Sequence, residues 1–228
     1  GDRMYLSRVE LDLTRRSTME ALAAPQKLHG AVESAFPGER RRRLWRLDYL
    51  GERLYLLLLS EDQPELLGLA EQFGHITDAL AETRDYDPLL RRVTAGSLWQ
   101  FRLTANPTKS CPTPKGGGAR GTVHAHITVA HQKEWLLQRG ERHGFALTPD
   151  SFTVIGSRWL RFAKGGDRHH PVTLLSVTYE GVLEVTDPQT FCRMPTSAPG
   201  RGKAYGLGLM TILQRGRPHG CPHGHGAS

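Results

Sequence analysis

At 228 residues, 38% of them hydrophobic and 23% charged, the chain is long enough for one large or two small domains, and its composition is that of a soluble globular protein. No apolar run reaches the roughly 18 to 20 residues of a membrane span, the first residues lack the pattern of a signal peptide, and three scattered cysteines (Cys111, Cys192 and Cys221) without a C-x-x-C pair argue for a reducing cytoplasm over a disulfide framework. The net charge of +7 is lopsided: residues 1–95 carry 14 Lys and Arg against 16 Asp and Glu, residues 96–228 carry 16 against 7, and an excess confined to one half points to a polyanionic partner, of which nucleic acid is the commonest.

Residues 4–13, MYLSRVELDL, alternate apolar and polar and predict a strand. A helix should open at Pro25 and close before Pro37 and Gly38, with Leu28, Val32 and Phe36 forming one core-facing stripe. Residues 42–60 read as two strands about a tight turn at Gly51 and Glu52, and PELLGLAEQF as a short helix or turn. One more strand, placed near His75, completes a βαββαβ unit, and the charged stretch AETRDYDPLLRRVTAG is expected to be loop, with a domain boundary near residue 92.

The same order then recurs. SLWQFRLTANPTKS is a strand, the glycine-rich 111–121 a flexible loop, and 128–142 a helix. SFTVIGSRWLRFAK and VTLLSVTYEGVLEVTD form a hairpin joined by GGDRHH, PQTFCRM a short helix, and YGLGLMTIL the closing strand. The expected fold class is α+β, with two tandem βαββαβ domains at 4–92 and 93–213 and a low-complexity tail at 214–228.

Four glycines, Arg201 and Lys203 lie within PGRGKAYGLGLM, residues 199–210. Glycine lets main-chain N–H groups turn toward an anion, so the stretch suits phosphates of a nucleotide or of an RNA backbone. The nucleotide reading fails on spacing. Ser197 stands where a Walker loop needs its first glycine and Ala204 where it needs Ser or Thr, while a dinucleotide fingerprint would follow a strand, not a helix. A tight turn before a bulged last strand is the structural alternative.

His29 is the candidate acid–base, because an imidazole exchanges protons near neutrality and the residue sits one position past core-facing Leu28. No metal is expected: the acidic residues are scattered, and Cys221, His223 and His225 in the tail have the wrong spacing for a structural zinc site. In the hairpin, alternation puts Ser157, Trp159 and Arg161 on one face and Arg158, Leu160 and Phe162 on the other, with Lys164 and Arg168 carrying charge toward the turn. Lys109 and the run of four arginines at 40–43 are further candidate phosphate contacts, a solvated loop being the alternative for the run.

Taken together, MYLSRVEL, PQKLHGAV, FRLTANPTK, VTYEGVLEVTDP and GRGKAYGLGLMTI, in this order and spacing, resemble the CasE family of CRISPR repeat-processing endoribonucleases, a subunit of the type I-E Cascade complex. The resemblance implies two ferredoxin-like, RRM-related units, no cofactor, and cutting of a stem-loop in each repeat of the precursor RNA, which leaves a 2',3'-cyclic phosphate and a 5'-hydroxyl, with the product then retained. It implies CRISPR repeat RNA and other Cascade subunits as partners, and no membrane. His29 falls at the family's catalytic histidine, and Gln26 where members often carry a tyrosine; glutamine hydrogen-bonds but shuttles no proton. This leaves open whether His29 acts alone, with Lys203 or Arg201, or with Tyr5 or Tyr205. The RNA would be held by Gly200, Arg201, Gly202, Lys203, Gly206 and Gly208 of the glycine loop, by Arg158, Arg161 and Lys164 of the hairpin, and by Lys109. The competing class is a non-catalytic RNA-hairpin-binding module, whose usual aromatic-rich strand is missing.

Overall fold

Seven residues of regular alternation start the first sheet: β1 (Tyr5–Leu11) buries Ser7, Val9 and Leu11 on one face. The structure, a computed structural model, describes residues 3–39, 41, 43–111, 122–163, 171–194 and 200–214. Of the loop expected at 111–121, Cys111 is instead the last residue of a strand and 112–121 lie outside that set, as do the hairpin turn with Lys164 and Arg168, Arg40, Arg42, Ser197 and the residues after 214.

Where the spacing predicts one helix there are two, α1 (Arg16–Ala23) and α2 (Pro25–Ser34). They part at Ala24, with φ −136° and ψ 83°, because a residue before proline is driven out of the helical region. Leu28, Val32 and Phe36 are all buried in one core, as their spacing predicts. The strands β2 (Arg43–Leu50) and β3 (Arg53–Ser60) turn at Gly51, φ +64°, followed by α3 (Leu67–Phe73).

The fourth strand is not near His75. It is β4 (Ala81–Asp85), followed at once by α4 (Asp87–Leu90), both inside the stretch expected to be loop. β4 is a sheet edge that buries no side chain, so it needs no apolar alternation. Its register on β1 is fixed by main-chain pairing and polar contacts, Ser7 to Thr83 at 2.9 Å and Arg8 to Glu82 at 2.8 Å. The order β2-β3-β1-β4, antiparallel throughout, is the ferredoxin-like arrangement.

The second sheet repeats it. β5 (Leu98–Ala105) leads into a small hairpin, β6 (Thr108–Cys111) and β7 (Thr122–Ala125), then α5 (Val129–His143) and the two-residue β8 (Phe145–Ala146). The long hairpin β9 (Phe152–Ala163) and β10 (Pro171–Val185), α6 (Pro188–Cys192) and β11 (Met210–Gln214) complete the unit. Strand order is β11-β5-β10, with β9 on the outer side of β10 and β8 on its far end. The closing strand starts at Met210 rather than Tyr205, since positive φ at Gly206 and Gly208 cannot continue a strand, and it takes in Gln214 from the expected tail.

β3 reads LYLLLL because both of its faces are covered. Leu54, Leu56 and Leu58 face α2 and α3, while Leu57 and Leu59 pack into the core of the second unit with Phe101, Leu103 and Ile212. The two sheets are thereby packed together, and the helices α1 and α2 are left on the side where the β9–β10 hairpin and the glycine loop rise.

Candidate active site

On α2, Gln26 and His29 are three residues apart and so lie on one side of the helix, one turn from each other. The amide of Gln26 crosses to the second unit, donating from Nε2 to the carbonyl oxygen of Ala163 at the end of β9, 3.0 Å away. The side of α2 that carries half-buried His29 is therefore turned toward the second unit. α2 also lies against the glycine loop, where Lys203–Tyr205 form a single 3₁₀ turn.

Between these elements runs a groove of about 270 Å³, lined by Pro25, Leu28, Trp45, Arg158, Tyr205 and Gly206 among others. His29 is not one of its lining residues; it stands beside the groove, next to Pro25 and Gln26 in the helical projection.

The glycine loop is built inward as much as outward. Gly206, φ +83°, packs against Trp45 so closely that a Cβ would lie 2.6 Å from the indole. Gly208 is buried and donates its N–H to the Thr104 carbonyl at 2.7 Å, while Tyr205 and Leu207 both donate to Gly202 O. Of the two glycines expected to touch RNA, Gly208 is thus packed inside, while Gly206 lines the groove but is buried against Trp45, and both set the loop's shape. The accessible part is Gly200, Arg201, Gly202 and Lys203; of these Arg201 is exposed, and Gly200 rests on the Trp135 ring. Lys203 is half-buried and close enough to His143, with Arg142 and Arg139, to help hold that buried imidazole below its ordinary pKa, burial being the main cause.

The structure divides the hairpin cations. Leu160 and Phe162 are buried with Leu207, so Arg158, on their face, points to the groove, whereas Arg161 shares the outer face with Trp159. Lys109, exposed on β6, lines a separate hollow with Trp159. From the arginine run, Arg43 is held by Glu33 at 2.7 Å and lies over the Phe36 ring, and exposed Arg41 sits 3.7 Å from Glu61 and 3.6 Å from Asp62. Both described members are thus engaged by acids of their own unit.

Of the two spare tyrosines, Tyr205 lines the groove, its ring 4.6 Å from that of Phe162. Tyr5 is on β1 between β3 and β4, near Arg3. Among the described residues no three His, Cys, Asp or Glu side chains are grouped to hold a metal, and no helix is long and apolar enough to cross a membrane.

Spacing missed Arg46. It is wholly buried on β2, paired with Asp48 and hydrogen-bonded to the Arg102 and Leu209 carbonyls and to Thr211 Oγ1 of the second unit. The available signal was the Arg-x-Asp pair Arg46 and Asp48, which alternation puts on the same strand face as Leu44 and Leu50.

Residues 4–214, which include every strand and helix above, match the model of the family described as CRISPR associated protein. Over 222 residues the chain is 29% identical to the CRISPR-associated endoribonuclease Cse3 of Thermus thermophilus, covering 92% of this chain and 99% of that protein. A solved structure of CRISPR endoribonuclease Cse3 bound to 19 nt RNA matches with a TM-score of 0.76 at 27% identity, over 92% of this chain and 99% of the other. The fold is also that of the CRISPR-associated protein Cas6e from Escherichia coli, at a TM-score of 0.66 and 22% identity over 92% and 100% of the two chains. With the tandem ferredoxin-like units, the His29 helix and the glycine loop inside one matched span, the chain belongs to the CRISPR-associated protein family.

Proposed function

We propose that this protein is a metal-independent endoribonuclease that binds the stem-loop of CRISPR repeat RNA, cleaves the precursor by attack of a 2'-hydroxyl, and keeps the product as a Cascade subunit in the cytoplasm. The observation that carries the reading is the Gln26–Ala163 contact, which turns the His29 side of the acidic unit toward the cations of the other. The relatives support it: one is named an endoribonuclease, and a solved structure of Thermus thermophilus Cse3 is bound to an RNA representing a pre-cleavage complex.

In this mechanism His29 takes the proton from the 2'-hydroxyl as the 2'-oxygen attacks the adjacent phosphorus. The bond from phosphorus to the 5'-oxygen breaks, and the imidazolium returns the proton to that oxygen. One side chain thus serves as base and acid, a role worth roughly 10² to 10⁴ in rate. Arg201 and Lys203 neutralise the charge growing on the phosphate. Gln26 positions the helix, with its tie to Ala163, rather than moving a proton. The stem, whose deep major groove hides its base edges, is held by phosphates and 2'-hydroxyls along Arg158, Arg161 and Lys164, while Lys109, in its separate hollow, contacts the RNA beyond the stem.

A labelled repeat hairpin incubated with the protein in excess EDTA tests this. Cleavage is expected to continue, to fall by roughly 10² to 10⁴ in His29→Ala while binding persists, and to stop when the nucleotide before the break is 2'-deoxy. Cutting that EDTA abolishes, or that survives the 2'-deoxy substitution, overturns the mechanism.

A further inference from the structure

Three of the four tryptophans are buried: Trp45 is 2% exposed, Trp99 3% and Trp135 3%. Trp159 is 54% exposed. It projects from the outer face of β9, away from Leu160 and Phe162, which anchor the strand to the glycine loop. Beside it stands the β6–β7 hairpin, where Lys109 lies directly across from His124. Lys109, His124, Ala125, Ile127 and Trp159 line one open hollow of about 440 Å³, with no acidic side chain among them. The surroundings are electropositive: Lys109, His131 and Arg139 add to burial in holding His126 below its ordinary pKa.

An indole left in water at the edge of a cationic hollow suits a flat, apolar ring attached to an anion. A base inside a duplex has both faces stacked and cannot offer one; an unpaired nucleotide can. Resting on the RNA-binding function proposed above, we infer that this hollow is a subsite for an unpaired nucleotide of the bound RNA, its base stacked on Trp159 and its phosphate held by Lys109, with His124 able to hydrogen-bond either. A protein partner would find apolar surface in Trp159 and Ile127, but the cations and the lack of any acid among the described lining residues favour the polyanion.

The test compares three RNAs on one stem: a blunt duplex, the stem closed by its loop, and the stem-loop with single-stranded nucleotides on both sides. Wild type is expected to gain roughly tenfold in affinity when the loop or the flanks are added, and that step should quench tryptophan fluorescence, to which the other three indoles contribute from the interior. Trp159→Ala should remove the step and the quench while binding the blunt duplex normally, Trp159→Phe should keep part of the step, and Lys109→Ala should lower the salt slope by about one on the same RNA. If no RNA is bound, the RNA-binding function itself falls and the subsite with it. If all bind but the step is missing, or persists in Trp159→Ala, only the subsite is overturned. The same holds if Trp159→Ala leaves every affinity intact yet blocks assembly with protein partners.

Discussion

Arg46 holds Asp48 in a two-pronged ion pair within β2, Nε to Oδ1 at 2.7 Å and Nη2 to Oδ2 at 2.8 Å. The rest of its guanidinium reaches into the other unit, to the carbonyls of Arg102 at 2.8 Å and Leu209 at 3.1 Å and to Thr211 Oγ1 at 2.7 Å. A buried charge satisfied this completely is costly to break and cheap to replace as a whole. Asp48→Ala should therefore lose about 3 to 5 kcal/mol in a urea melt. Arg46→Leu with Asp48→Leu should lose clearly less than the two single changes added together. Additive losses, or a loss under about 1 kcal/mol for Asp48→Ala, would contradict the role of this pair as the pin between the sheets.

Gly206 should be the least replaceable residue of the glycine loop. It combines φ +83° with a Cβ position 2.6 Å from the Trp45 ring, whereas Gly51, φ +64°, has nothing within 4 Å. Gly51→Ala therefore measures backbone strain alone, on the order of 1 kcal/mol. Gly206→Ala adds the clash, must lift the loop off Trp45, and should lose more stability than Gly51→Ala. It should also slow cleavage, because Arg201 and Lys203 ride on the same loop. Thermal melts and single-turnover cutting of a repeat hairpin check both parts.

The strongly periodic segments were legible in the sequence. β1, the stripe of Leu28 and Val32 on α2 with Phe36 just beyond its end, the β2–β3 turn at Gly51, α5 and the β9–β10 hairpin follow from periods of 2.0 and 3.6 and from turn residues. β4 was not, since an edge strand buries nothing and AETRD carries no pattern; α1 was hidden because the residues before Pro25 look like a single helix start. The site was legible in part. Alternation put Arg158 and Arg161 on opposite faces, as they are found. That Gly206 and Gly208 are buried depends on Trp45 and Thr104, more than 100 residues away, and no local pattern encodes such a contact.

Gln26 offers a way to separate positioning from folding. Its Nε2 is bonded to Ala163, but its Oε1 is buried with no hydrogen-bond partner among the described residues. Gln26→Leu loses one hydrogen bond and also removes an unsatisfied acceptor, two effects that offset each other, so stability should change by less than about 1 kcal/mol. The helix carrying His29 would no longer be tied to β9. Cleavage should then slow by roughly tenfold or more through misalignment, with RNA affinity retained. Equal losses in affinity and rate would mean that Gln26 holds the RNA rather than the helix.

His143 should make stability fall in mild acid. The residue is buried at the end of α5, and burial, followed by Arg142, Arg139 and Lys203, pushes its pKa below the ordinary 6.5. The folded state thus prefers the neutral ring. As pH drops below 6.5 the unfolded chain takes up a proton that the folded chain still refuses, so unfolding becomes easier until the folded-state pKa is passed, after which this group contributes no further loss. Asp12 and Asp187, both depressed chiefly by threonine hydrogen bonds, act in the same direction only near and below 3.8, which keeps the windows apart. His143→Gln should flatten the decline in melting temperature as the pH is lowered from 7 through about 6.5, where an ordinary imidazole takes up its proton. His126→Gln, at a more open position on the small hairpin, should flatten it less. A decline equally steep in His143→Gln would assign the acid sensitivity to other groups.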